Sequence, residues 1–364
     1  MRVKDITSWL DHFAPLSFQE SYDNAGLIVG DPDLEIHSVL VTVDVTEAVI
    51  DEAIRLNSNL VVAHHPVIFA GLKSITGRTY VERIIIKAIQ NHIAIYASHT
   101  NLDGILGGVS SKMAGKLGLI HTSILSPRKG ELRKLVIFVP VDKVNQVRLA
   151  IFKAGAGEIG NYDLCSFNIL GEGSFRGGEN TKPYVGKKGE LHFEKEVRVE
   201  TVFPKYLQEK IITALLQAHP YEEVAYDIYP LENRYERAGM GIIGALKKEM
   251  DEIDFLKQLK VVFHAKGLRH TSLSGNKVRK IAVCGGSGSF LLNEAIKADA
   301  DVYVSADFKY HQFFDAENKI LIADVGHYES EQFTKEILYE ALFKNFPKFA
   351  VHFSEVNTNP INYL

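Results

Sequence analysis

Leu60-Val61-Val62-Ala63-His64-His65-Pro66 is an apolar run that ends in two histidines and a proline. Four consecutive apolar residues read as a strand buried on both faces, the mark of a parallel sheet covered by helices. Pro66 keeps His65 out of the helical region, so the histidines mark where the strand stops and the chain turns. Neighbouring side chains on an extended chain point to opposite sides, so each imidazole suits an ion of its own. Working outward, Val39-Leu40-Val41-Thr42-Val43 and Ile93-Ala94-Ile95-Tyr96-Ala97 read as further buried strands, with helices near 46–56, 80–91 and 108–117. A first amphipathic helix over 4–14 carries Ile6, Trp9, Leu10 and Phe13 at helical spacing. Strands alternating with helices imply crossover units and a mostly parallel sheet, whose ligands gather at the carboxyl ends of the strands.

The pattern changes near Ser126-Pro127-Arg128-Lys129-Gly130. A strand (135–139), a helix (142–154), two long alternating stretches (162–175 and 190–202), a helix (204–218) and a last strand (224–229) follow in the order of a ferredoxin-like unit. From Gly241 the first pattern resumes, with strands at Ile242-Ile243-Gly244, 281–284, 302–304 and 320–323, helices between them, and one long helix over 327–345. The expected fold is an α/β domain with mostly parallel sheets, built from 1–125 and 235–364, interrupted by an inserted ferredoxin-like α+β domain at 126–234.

Composition narrows the function classes. At 364 residues the chain exceeds one ordinary core. A net charge of -4 offers no basic field for nucleic acid. The two cysteines, Cys165 and Cys284, are too far apart in sequence, and too few, for a zinc ribbon or a disulfide framework. No apolar run approaches the roughly 18–20 residues of a membrane helix, and charges occupy the N-terminus where a secretory signal needs an apolar stretch. A cytoplasmic protein without membrane association is expected.

Candidate ligands cluster at strand ends. Asp103 lies in Ser98-His99-Thr100-Asn101-Leu102-Asp103, and His327 and Glu331 lie four apart in Asp324-Val325-Gly326-His327-Tyr328-Glu329-Ser330-Glu331, one turn apart on a helix face. Together with His64 and His65 they make a pocket for two metals. Imidazole with carboxylate and no thiolate suits zinc, iron, manganese or cobalt in a site that activates water. Gly285-Gly286-Ser287-Gly288-Ser289 precedes a helix and reads either as a tight turn or as a phosphate cradle formed by Gly286, Ser287 and Gly288. Lys309 is a second phosphate candidate; His99 and His311 are acid–base candidates. Asp307 reads as an acid–base group or a helix cap, and Glu20, Asp23 and Asn24 as a polar loop of open role. Ala218-His219-Pro220-Tyr221-Glu222-Glu223 looks like a ligand set, but its place in the insert favours a helix-to-strand junction.

Five motifs, Tyr22-Asp23-Asn24-Ala25-Gly26-Leu27, Ala63-His64-His65-Pro66, His99-Thr100-Asn101-Leu102-Asp103, Ser305-Ala306-Asp307-Phe308-Lys309-Tyr310-His311 and Asp324 to Glu331, together resemble the Nif-three-like dinuclear metal-centre family. Its bacterial members are often labelled type 2 GTP cyclohydrolase I homologues. The middle segment is similar to the insert of the longer members, which is PII- and CutA-like. The resemblance implies two divalent ions per chain, zinc first, with His65 and Asp103 on one ion, His64 and His327 on the other, and Glu331 bridging. It implies a homohexamer, a trimer of dimers. It also implies a hydrolase that opens the guanine ring of GTP or a related purine nucleotide. A two-metal phosphoester hydrolase and a non-enzymatic metal-binding regulatory scaffold are the alternatives.

Overall fold

The strand Leu60–Ala63 is buried along its whole length and pairs in parallel with Val39–Thr42 on one side and Ala94–Ala97 on the other. The register sets Thr42, Ala63 and Ala97 side by side. The residues that follow them, Asp44, His64, His65, Ser98 and His99, therefore leave the sheet along one edge. The helices Glu47–Arg55 and Tyr80–Gln90 complete the crossovers. Each starts at a threonine, Thr46 or Thr79, whose side chain accepts a hydrogen bond from the third helical amide. Their apolar faces bury Val49, Ile50, Ala53, Ile84, Ile85 and Ala88 against Leu40, Val61 and Ile95. Gly26–Val29, antiparallel, and Val351–Phe353, parallel, close the two sides of this five-stranded sheet.

The computed structural model describes residues 1–364 and divides them into two units, Met1–Pro127 with Arg237–Leu364, and Arg128–Glu236. The first unit holds a second sheet, of six strands, in which Lys277–Ser287, Val302–Ala306 and Leu321–Asp324 run parallel. Phe255, Leu259 and Phe263 pack on one of its faces, and Tyr303, Phe308 and Leu292 on the other. The second unit is a four-stranded sheet with the spatial order Phe167–Arg176, Leu191–Pro204, Leu132–Pro140, Tyr226–Pro230, all neighbours antiparallel. The helices Val144–Lys153 and Gln208–Ala218 bury Val147, Ile151, Ile211 and Leu215 in its core.

Several expectations are corrected. The first sheet is mostly parallel as expected, but the second is mixed, because Arg234–Asp251 and Arg269–His270 join it antiparallel. The strand expected at Ile242-Ile243-Gly244 is eighteen residues long. The segment after Val302–Ala306 forms a 3-10 helix, Tyr310–Ala316. The single helix expected over 327–345 is two, His327–Glu331 and Thr334–Asn345. Between them Phe333 turns into the core against Phe263 and under the Lys116 ammonium, while the Gln332 amide donates to the Phe263 carbonyl.

Candidate metal centre

The sheet edge and the short helix His327–Glu331 bring His64, His65, His99, Asp103, His327 and Glu331 together. His64 Nε2 lies 3.8 Å from Asp103 Oδ1 and 3.6 Å from Glu331 Oε1. His65 Nε2 and His327 Nε2 lie 2.9 and 3.0 Å from Glu331 Oε2, and 3.3 Å from each other. Glu331 therefore serves two donor groups, one oxygen each. The membership differs from that implied by the resemblance: His64 stands with Asp103, and His65 with His327.

Outer contacts fix each imidazole. His64 Nδ1 donates to the Ser98 carbonyl at 2.8 Å, which forces its lone pair onto Nε2. Nδ1 of His65, His327 and His99 faces the carboxylates of Asp44 (2.7 Å), Asp307 (2.6 Å) and Asp23 (2.7 Å). Carboxylate–histidine pairs of this kind orient metal ligands and raise their basicity. Asp44 is itself held by the Thr358 hydroxyl, Asp307 by Ser287, and Asp23 by Thr100.

The donor set fits a metal ion. Two buried atoms, His64 Nε2 and Asp103 Oδ1, have no hydrogen-bond partner, and such atoms are costly unless something satisfies them. Three groups of three donors lie within 4.8 Å of one another: His64, Asp103 and Glu331; His65, His327 and Glu331; and His64, His65 and His99. The electrostatics also call for positive charge. Burial opposes protonation of His65 and His327, but their carboxylate partners outweigh it and push them up to about 10 and about 11. Burial and the Glu331 charge push Asp103 well above the usual carboxylate range. Glu331 is only 2% exposed, yet the imidazoles of His65 and His327 help hold its carboxyl low against the effect of burial. His64, desolvated and beside two other imidazoles, is held neutral, the form that ligates.

Among the other sequence candidates, Ser287 lines the cavity in front of the cluster, but Lys309 and His311 do not. Both are exposed, and His311 packs against Tyr310 and Phe314. The Gly286 amide donates to the Ser330 hydroxyl, the Gly288 carbonyl accepts from Tyr303, and the helix that follows has only six residues. Gly286 instead makes room for the ligand. Its φ is +62°, and a Cβ there would stand 2.2 Å from Glu331 Oε1. Gly286→Ala is therefore expected to displace Glu331 and weaken metal binding roughly ten- to a hundredfold, the range for a disturbed ligand support. Competition against a metallochromic dye measures this; unchanged affinity would show that Glu331 shifts freely. Asp44 and the Ser98 carbonyl were missed in the sequence. Asp44 carried one signal, as the first charged residue after the apolar run that ends at Val43.

The fold and this cluster define a class. The chain matches the Duf34/NIF3 (NGG1p interacting factor 3) family over residues 1–360 and belongs to that family. It is 41% identical over 367 residues to a Bacillus subtilis protein named GTP cyclohydrolase 1 type 2 homolog, covering 99% of this chain and 98% of the relative. It is similar to the crystal structure of a Bacillus cereus protein related to NIF3, with 40% identity, a TM-score of 0.89 and coverage of 100% of this chain and 99% of that one. A Staphylococcus aureus structure matches at 30% identity with a TM-score of 0.77 and the same coverage. No helix is long and apolar enough to cross a membrane.

Proposed function

We propose that the protein is a dinuclear metal-dependent hydrolase that opens the ring of a purine nucleotide, GTP or a close relative. The observation that carries the hydrolase reading is Glu331, a buried carboxylate with one oxygen in each of two donor groups. Two divalent ions, zinc first among the candidates, would be held by His64, Asp103 and Glu331, and by His65, His327 and Glu331. When bound, such ions supply Lewis acidity and lower the pKa of water to about 7. Asp23 accepts from His99 Nδ1, which leaves the Nε2 lone pair to take a proton from the attacking water and pass it to a leaving ring nitrogen.

The choice of base over phosphate rests on the cavity in front of the donors, about 810 Å³. Tyr22, Phe69, Phe290 and Tyr363 furnish aromatic walls. Its one lysine or arginine is Arg269, already paired with Asp324. Such walls suit a flat heterocycle better than a triphosphate. The relatives' name supports the same substrate class. As parts of this reading, the unit Arg128–Glu236 is a ferredoxin-like insert of the PII and CutA kind, and the chain works as a cytoplasmic homohexamer.

The test is turnover by protein loaded in turn with zinc, manganese, iron and cobalt. GTP should lose its guanine absorbance and release formate or keep a formyl group, with the triphosphate intact. Chelation and Asp103→Ala should abolish this. Phosphate release with an intact base would replace the reading with phosphoester hydrolysis; neither product under any loading would replace it with a regulatory scaffold.

A further inference from the structure

Two stretches that the metal centre leaves without a role, Gly171 to Gly177 and Tyr221 to Glu223, line one cavity of about 560 Å³ inside the unit Arg128–Glu236. At its wall lies Glu196, 9% exposed. The Tyr221 hydroxyl donates to its Oε1 at 2.9 Å, while Oε2 has no hydrogen bond. Oε2 rests over the bare backbone of Gly173, where a Cβ would come within 2.3 Å of it. Without a protein donor, this oxygen stays open to the cavity and is free to accept from a charged ligand.

The remaining walls describe that donor. Tyr221 stands 6.2 Å from Phe175 at 57° and 6.1 Å from Tyr184 at 48°. Tilted rings form a cage for a rounded cation rather than a slot for a flat base. His219 fixes the cage: its Nε2 donates to the Phe138 carbonyl, and its Nδ1 accepts from the Tyr221 amide. Glu172, Glu196, Glu222 and Glu223 line the cavity against Arg176 and Arg198, and Arg198 is paired with Glu200 at 2.9 Å. Burial and the neighbouring Glu196, Glu194 and Asp142 suppress ionisation of Tyr221, as a negative field requires. A bare metal ion is a poor match, since the convergent donor groups of this chain all belong to the other site.

We propose that this cavity binds an aliphatic di- or triamine. One ammonium donates to Glu196 Oε2 within the ring of Phe175, Tyr184 and Tyr221, and the next reaches the exposed carboxylates of Glu172, Glu222 and Glu223. The test is calorimetric titration of the full chain at low ionic strength with spermidine, putrescine and uncharged 1,4-butanediol. Spermidine should bind and butanediol should not. Glu196→Gln, which keeps the acceptor for Tyr221, should weaken spermidine roughly tenfold or more. Tyr184→Ala, at an exposed position, should weaken it severalfold, so the proposal stays testable if the buried substitution unfolds the unit. Circular dichroism checks the folding of each variant. The proposal is overturned if wild type gives no spermidine heat, if both folded variants bind like wild type, or if manganese or GTP takes the same cavity with the same dependence on Glu196. None of these outcomes depends on turnover at the metal centre.

Discussion

Glu331→Ala is expected to bring metal content from the proposed two ions per chain to below one, because both donor groups lose their shared carboxylate together. One group would keep His64 and Asp103, the other His65 and His327, two protein ligands each. A bridging carboxylate also offsets the repulsion between two dications, so the second ion should be lost first. In the metal-free chain Glu331 is the partner common to His65 and His327. Removing one member of a buried ion pair costs about 3–5 kcal/mol, and a matching drop in the denaturation midpoint is expected. Elemental analysis after dialysis reads the first effect and urea unfolding the second. Full two-ion occupancy in the variant would eliminate the bridge. His64→Ala and His65→Ala should each deplete a different ion.

Excising Arg128–Glu236 is expected to leave a folded chain that keeps its metal. The candidate ligands all lie in the other unit, and its hydrophobic clusters contain none of the excised residues. The ends to be joined are close: Ile120–Lys129 and Arg234–Asp251 are neighbours in one sheet, and Gly239 packs against Ser126 and Pro127. A hairpin connection of about four residues spans such a gap. Metal stoichiometry and the cooperativity of thermal unfolding measure the outcome. Loss of metal in the shortened chain would make Arg128–Glu236 part of the metal-binding fold. The same variant should lose all spermidine binding.

The sequence determined the strands around the site because they are short, wholly apolar and flanked by helices with threonine caps. Leu60–Ala63 and Ala94–Ala97 are strands by burial alone, and a parallel register then delivers His64, His65 and His99 to one edge. Residues of mixed character were less legible. Ile120–Lys129 is a largely solvent-touched strand with Pro127 in it, and Gly26–Val29 is a four-residue edge; neither shows the periodicity on which sequence reading depends. The break at Phe333 was hidden because a helical pattern does not reveal that one aromatic side chain packs inward between two helices. Sequence order also could not say which histidine stands beside Asp103. His64 and His65 are adjacent, and which faces Asp103 depends on how the chain turns after Ala63 and on where Asp44 and Ser98 fix the two rings. Only the tertiary structure revealed why Gly286 is glycine: the approach of Glu331 from 45 positions along the chain leaves no room for a Cβ. The same holds for Gly173 beneath Glu196. Donor types are written locally in the chain, but which donors converge, and what space surrounds them, is set by contacts between distant segments.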